Sequence, residues 1–290
     1  MNIKKVTLAL IQCRCSSDIT VNMKKTIKKI EQASNDGAQI ILLQELFQTP
    51  YFCQTVDEKY FDLAQSIPGP VTEELSKLAK ELEVVVVAPF FERRAAGIYH
   101  NSVCVIDADG NLMGTYRKHH IPDDPGFHEK YYFTPGDGGY RVFDTKYAKI
   151  APLICWDQWF PEAARIAALK GAELLVYPTA IGTLPDEKGE IGKSYLDAWQ
   201  TIQKSHAIAN SCFVASVNRT GEEGEVNFWG HSFVASPFGK VLAEAGHDEE
   251  TVIAEIDILE IENQRRVWPF FRDRRIDTYQ PIGNRYIEND

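Results

Sequence analysis

The chain has 290 residues, 44% of them hydrophobic and 25% charged, with a formal net charge of -10 at pH 7. This length and composition fit one α/β enzyme domain with a large core. The acidic balance, with Lys and Arg scattered rather than gathered in a stripe, argues against nucleic-acid binding. No apolar run reaches membrane length, and the opening MNIKKVTLALIQC patterns as a strand rather than a signal peptide, so a soluble cytoplasmic protein is expected.

Strand and helix signals then alternate. Val6 to Cys13 reads as a strand; Met23, Ile27, Ile30 and Ala33 recur at helical spacing, and Gly37 ends that helix. Gln39 to Gln44 reads as a second strand with Glu45 at its end. Val71, Leu75, Leu78, Ala79 and Leu82 mark a helix after the turn at Pro68 to Pro70. Val84 to Phe91 is apolar on consecutive residues, as expected of a strand covered on both faces. Asn101 to Ile106 and Leu112 to Tyr116, joined by a Gly-containing turn, form a predicted antiparallel hairpin. It runs into Arg117, Lys118, His119 and His120 and then a polar loop rich in Pro and Gly.

Next, Ile150, Ala151, Leu153 and Ile154 lead to Cys155; a turn of Trp156 to Phe160 follows, and Pro161 opens a helix that stops at Gly171. Strand, sharp turn and helix are the layout of a nucleophile elbow with Cys in the place of Ser. Backbone N–H groups directed at such a thiol are expected to favour the thiolate. Beyond it come a strand (Ala172 to Tyr177), an acidic loop (Gly182 to Gly192) and a helix carrying Leu196, Trp199 and Ile202. A strand at Cys212 to Val217 and an antiparallel set at His231 to Ala235, Pro237 to Ala243 and Val252 to Ile258 complete the series.

The segment Val267 to Ile276 is aromatic and basic without either period, so a tail of about residues 260 to 290 is expected to pack on the surface or on a partner subunit. No repeats or linkers interrupt the chain, and residues 1–290 are read as one domain. Helices layered on mixed sheets are implied, either as a four-layer α-β-β-α sandwich or as a doubly wound sheet; periodicity does not separate the two. Six cysteines, mostly within apolar strand-like segments, are read as reduced thiols, and the Cys13 and Cys15 spacing does not fit a zinc ribbon.

Three residues at strand ends bear on chemistry: Glu45, Lys118 and Cys155. Taken singly each has an ordinary explanation, as a capping carboxylate, a surface cation and a buried thiol. Strand ends on one edge of a sheet converge, and that edge is where α/β ligand sites sit. A thiol with an ordinary pKa of about 8.5 needs help near neutrality. Glu45 can serve as general base, Lys118 can hold a developing oxyanion, and the Trp156 N–H, directly after the nucleophile, is the natural second donor.

The stretches LLQELF around Glu45, YRKHHIP around Lys118 and LICWDQWFPEAAR around Cys155 resemble the nitrilase superfamily of carbon–nitrogen hydrolases, from Val6 to beyond Arg275. The resemblance implies the four-layer α-β-β-α sandwich with mixed sheets and the catalytic trio Glu45, Lys118 and Cys155. It adds Glu129, in FHEKYYFTPGD, as a second glutamate positioning substrate and lysine. It implies no cofactor and no metal, so His119, His120 and His128 are taken as loop and supporting residues, and it implies a homodimer or higher homo-oligomer. Branches acting on carboxylate substrates place Arg shortly after the Cys; here Trp156, Asp157, Gln158 and Trp159 stand there. A buried carboxylate would lack a partner, whereas an amine would suit acidic or aromatic neighbours. The CWDQWFPEAAR, EKYYFTPGD, YPTAIG and FRDRR stretches resemble the branch that hydrolyses N-carbamoylputrescine, a linear N-carbamoyl amine, to putrescine, carbon dioxide and ammonia. Asp186, Glu187 and Glu190 of the acidic loop, alongside Asp157, are candidates for the distal ammonium, and Trp156 for the pocket wall. A β-ureidopropionase or another amide hydrolase of the same superfamily is the alternative, with a non-catalytic scaffold behind it.

Overall fold

Side-chain alternation along the first strands fixes where the core lies. In β1 (Lys5–Gln12), Leu8 and Leu10 enter one apolar cluster and Ala9 and Ile11 another, because successive strand side chains point to opposite faces. The same split runs through β2 (Ile40–Leu43) and β3 (Val85–Ala95): Ile40, Leu42, Val85 and Val87 join the first cluster, Ile41, Leu43 and Val86 the second. The continuous apolar runs of the sequence thus belong to a sheet covered on both faces.

The computed structural model describes residues 4–288. After β3 come β4 (Ile98–Ile106), β5 (Leu112–Arg117), β6 (Phe143–Asp144), β7 (Lys149–Pro152), β8 (Leu174–Thr179) and β9 (Gly182–Thr183). Then follow β10 (Phe213–Asn218), β11 (Thr220–Glu223), β12 (Val226–Trp229), β13 (Phe233–Ala235), β14 (Val241–Glu244) and β15 (Glu250–Asp257). One sheet has the order β15-β1-β2-β3-β4-β5 and the other β14-β13-β10-β8-β7-β6, while β11, β12 and β9 form a small third sheet. Each large sheet has three parallel strands at its centre (β1, β2 and β3; β10, β8 and β7) and antiparallel strands outside them.

The helices are α1 (Ile19–Asn35), α2 (Pro70–Leu82), α3 (Glu129–Tyr132), α4 (Pro161–Leu169), α5 (Glu190–Asn210) and α6 (Leu259–Val267). Asp18 caps α1 by accepting from the N–H groups of Thr20 and Val21 at 2.8 and 3.3 Å. Ile30 and Ala33 of α1 and Leu75, Leu78 and Ala79 of α2 cover the outer face of the first sheet. Ala163, Ala164 and Ala167 of α4 and Trp199 and Ala207 of α5 pack on the second. The two sheets meet through β1 with β10 and β2 with β8. This is the four-layer α-β-β-α sandwich; in a doubly wound sheet helices would cover both faces of one sheet.

Three segments differ from their sequence-based expectation. Helix α5 begins at Glu190, inside the expected acidic loop, because Gly189 at φ 77° turns the chain into it. The β11/β12 hairpin carries Thr-Gly-Glu-Glu and so lacks the apolar alternation of a strand. In α6 only Ile261 is buried, which gives no amphipathic period to read. The following segment lies on the surface: Trp268 packs on Phe238, and Phe271 sits under the guanidinium groups of Arg165 and Arg265.

The inter-sheet core yields a stability test. Leu10→Ala removes a fully buried side chain between the sheets and is expected to destabilise the protein by roughly 2–5 kcal/mol in urea unfolding at fixed protein concentration. Ile253→Ala, on the exposed side of β15, should shift the midpoint little.

Candidate active site

Glu45 stands two residues past the apolar run of β2, in a turn where Leu46 adopts φ 50°. A wholly buried guanidinium holds that turn: Arg219 Nη2 donates to the carbonyls of Leu46 (2.8 Å), Thr49 (3.0 Å) and Glu45 (3.2 Å), and Nη1 pairs with Glu223 at 2.7 Å. The Glu45 carboxylate is itself fully buried. Its Oε1 accepts from Asn101 Nδ2 at 2.6 Å and Lys118 Nζ at 2.9 Å, whereas Oε2 has no partner among the described residues.

Lys118 follows β5 directly, and strand alternation decides its fate. Arg117 points outward to an ion pair with Glu92 at 2.6 Å, while Tyr116 and Lys118 turn inward and are buried. Lys118 Nζ reaches Glu129 Oε2 at 2.6 Å as well as Glu45, and Tyr51 Oη donates to Glu129 Oε1 at 2.8 Å. Burial by itself would lower the lysine pKa, but the two carboxylates outweigh it and hold the ammonium well above the usual range. Burial pushes Glu129 up to about 7, with Glu45 adding to the rise and Lys118 opposing it. Two carboxylates thus share one ammonium.

Cys155 opens a tight turn (Cys155–Trp159) after Ile154, at φ 41°, a conformation uncommon for a residue with a Cβ. This is the elbow. Asp157 fastens it: Oδ2 accepts from the Ile154 N–H at 2.9 Å and Tyr116 Oη at 2.7 Å, and Oδ1 from the His120 N–H and Nδ1 at 3.1 and 2.7 Å. With both oxygens engaged and the side chain fully buried, Asp157 does not line the cavity, and the expectation that it meets the distal ammonium is corrected.

The thiolate expectation is also corrected. Cys155 is only 5% exposed. Burial, reinforced by the Glu45 and Glu129 carboxylates and opposed by Lys118, pushes its thiol well above the ordinary range. This environment opposes the thiolate form.

The cavity over Cys155 and Glu129 has a volume of about 490 Å³. Phe127, Trp156, Trp159, Tyr195 and Trp229 supply aromatic walls, and Asp124, Asp186 and Glu187 supply carboxylates; no Lys or Arg is among its lining residues. Asp186 is exposed and has no hydrogen bond or ion pair among the described residues, whereas Glu187 accepts from the Leu184 N–H at 2.8 Å. The arrangement sets a buried thiol beside a cavity whose walls are acidic and aromatic, surroundings that suit a cation.

The structure therefore brings Glu45, Lys118, Glu129 and Cys155 together, and Trp156, Asp186 and Glu187 to the cavity. Sequence reasoning missed Asn101, Tyr51 and Asp124. The first had a signal, an amide inside the apolar strand IYHNSVCVI; the second and third lie in loops without period. His119 packs against both Tyr116 and Tyr140, His120 lies 3.7 Å from the Phe160 ring between centroids, and His128 is 3.4 Å from Asp123. Among the described residues no three or more His, Cys, Asp or Glu side chains are grouped to hold a metal ion.

The family profile described as carbon-nitrogen hydrolase matches residues 7–266. An N-carbamoylputrescine amidase of Solanum lycopersicum is 47% identical over 287 residues, 96% of this chain and 94% of that protein. A citrullinase of Francisella tularensis is 44% identical over 97% of this chain and 99% of its own. The crystal structure of a carbon-nitrogen hydrolase from Helicobacter pylori superposes with a TM-score of 0.95 at 44% identity, covering 98% of this chain and 100% of that one.

A thiol held protonated predicts the pH dependence of its alkylation. The rate of Cys155 modification by iodoacetamide, followed by peptide mass spectrometry, is expected to rise continuously from about pH 6 to about pH 9. A rate already level at the acid end of that range would contradict the resting thiol.

Proposed function

We propose, from the premise that this chain belongs to the carbon–nitrogen hydrolase family, that it hydrolyses N-carbamoylputrescine to putrescine, carbon dioxide and ammonia. The observation that carries this reading is the cavity itself. One part is lined by Cys155 and Glu129, with the buried Lys118 and Glu45 behind Glu129; Asp124, Asp186 and Glu187 are its other lining carboxylates, and no Lys or Arg is among its lining residues. A neutral carbamoyl group fits the first part and a protonated amine the second.

In this reading Cys155 Sγ attacks the carbamoyl carbon as Glu45 Oε2 takes the thiol proton. The Lys118 ammonium and the Trp156 N–H stabilise the oxyanion. Collapse expels ammonia, which receives the proton from Glu45, and leaves a thioester that still carries the aminobutyl chain. Water, deprotonated by Glu45, attacks that carbonyl; Cys155 leaves and recovers its proton. The released N-carboxy amine loses carbon dioxide to give putrescine. Glu129 holds Lys118 in place, and no step calls for a cofactor. Asp124, Asp186 and Glu187 face the distal ammonium, and the aromatic walls cover the chain between.

A second reading has its own support, in the relative named citrullinase. Citrulline offers the same carbamoyl end but adds a carboxylate beside its amine, for which the lining residues provide no cationic partner. The diamine derivative is favoured for that reason. We further propose a homodimer or larger homo-oligomer, in keeping with the exposed Val267, Ile276 and Ile282 of the tail. A cytoplasmic setting accords with six cysteines that are all unbridged.

Ammonia release from N-carbamoylputrescine, citrulline and N-carbamoyl-β-alanine, with Cys155→Ala as the blank, tests the assignment. The first substrate should be preferred, and Asp186→Asn with Glu187→Gln should raise KM for it about tenfold or more while kcat stays near wild type. Preference for citrulline or the β-alanine compound would overturn the cavity reading and leave the Glu45, Lys118 and Cys155 chemistry standing.

A further inference from the structure

One buried amide touches both Glu45 and Lys118 without meeting the cavity. Asn101 lies in β4, fully buried, on the strand that pairs with β5. Its Nδ2 donates to Glu45 Oε1 at 2.6 Å, and its carbonyl accepts from the Lys118 N–H at 2.8 Å, one step past the Ser102 and Arg117 pair of the ladder. The side chain therefore holds the carboxylate and the main chain holds the residue that carries the ammonium. An ionised carboxylate only accepts, so the amide atom that faces it is the nitrogen. The amide oxygen, Oδ1, has no partner among the described residues. A buried acceptor left unpaired costs free energy that an apolar side chain of the same shape would not. What this position gains from an amide is its N–H.

We propose that Asn101 is a positioning residue for the hydrolysis, fixing which oxygen of the Glu45 carboxylate moves protons. This rests on the reading of Glu45 as general base. Asn101 Nδ2 and Lys118 Nζ donate to the same oxygen, Oε1, at 2.6 and 2.9 Å, and neither donates to Oε2. Two donors from two strands set the rotation of the carboxylate about its last bond and keep Oε2 for proton transfer. With the amide gone, Lys118 is the one remaining donor, and the carboxylate is free to turn until both oxygens face the ammonium. Asn101 is not among the residues that line the cavity. It acts through Glu45 and not on the substrate, so its loss should appear in kcat and spare KM.

Asn101→Leu and Asn101→Asp test this, by ammonia release from whichever of N-carbamoylputrescine, citrulline and N-carbamoyl-β-alanine the wild type hydrolyses fastest. Leu has the shape of Asn and no donor; kcat should fall about tenfold or more with KM near wild type. Asp has the same shape and donates only while protonated. The charged groups facing that position are Glu45 and Lys118, with Glu129 on the far side of the ammonium, and two carboxyls in contact favour a shared proton. The kcat of Asn101→Asp relative to wild type should therefore rise severalfold from about pH 8 to about pH 6, while the ratio for Asn101→Leu stays level. A kcat for Asn101→Leu within about threefold of wild type, or a loss matched by an equal rise in KM, would overturn the assignment. So would an Asn101→Asp ratio that does not change with pH, which decides the matter alone if Asn101→Leu does not fold. Glu45→Gln separates the two readings. An active Glu45→Gln would remove the base and the role of Asn101 with it, whereas an inactive Glu45→Gln beside an unimpaired Asn101→Leu would overturn the role of Asn101 only.

Discussion

A lysine ammonium with no access to solvent lies between two equally buried carboxylates, and much of the surrounding structure exists to make that tolerable. Taking a charge out of water costs several kcal/mol even after relaxation, and Coulomb attraction offsets it only with short, well-directed contacts. Lys118 has two such contacts, at 2.9 Å to Glu45 and 2.6 Å to Glu129. The second carboxylate puts negative charge in excess of the one ammonium, and Asn101 donates a hydrogen bond to Glu45 while Tyr51 donates one to Glu129. That excess has a chemical consequence. Together with burial, it works against a thiolate at Cys155. Preorganised charge of this kind acts most strongly where water is excluded.

Bringing these groups together requires two sheets rather than one. Glu45 and Lys118 leave the ends of β2 and β5 in the first sheet, and Cys155 leaves the end of β7 in the second. Stacking the sheets on a shared apolar layer places the three ends side by side. Each end is then locked by a buried polar residue that does not face the cavity. Arg219 gathers the carbonyls after Glu45, and Asp157 ties the elbow to Tyr116 and His120 next to Lys118. Left-handed φ angles at Leu46 and Cys155 mark where the backbone is bent to aim those side chains.

Much of this was legible in the sequence for physical reasons. Runs such as QIILLQ and VVVVAPFF are read correctly because a central strand buried on both faces is apolar throughout, and Pro161 and Gly171 bracket α4 as their backbone preferences require. Glu45, Lys118 and Cys155 are legible because each stands at or just past a strand end and because the stretches around them resemble the family's. Less legible were elements whose stability is not local. The β11/β12 hairpin is polar, α6 buries one residue, and the charges of Asp157 and Arg219 gave no sign of being structural. The environment of Cys155 was not legible either, because turn geometry alone points to a thiolate, whereas burial among carboxylates, invisible in sequence, pushes its pKa up.

The account rests on Cys155 carrying the substrate's carbonyl while the carboxylates of the cavity retain the aminobutyl chain. Intact-protein mass spectrometry on enzyme quenched during turnover of N-carbamoylputrescine tests this most directly. The predicted result is a transient adduct on Cys155 with the mass of the substrate less ammonia. A carbamoyl adduct lacking the aminobutyl chain, or turnover with no adduct on Cys155, would contradict it.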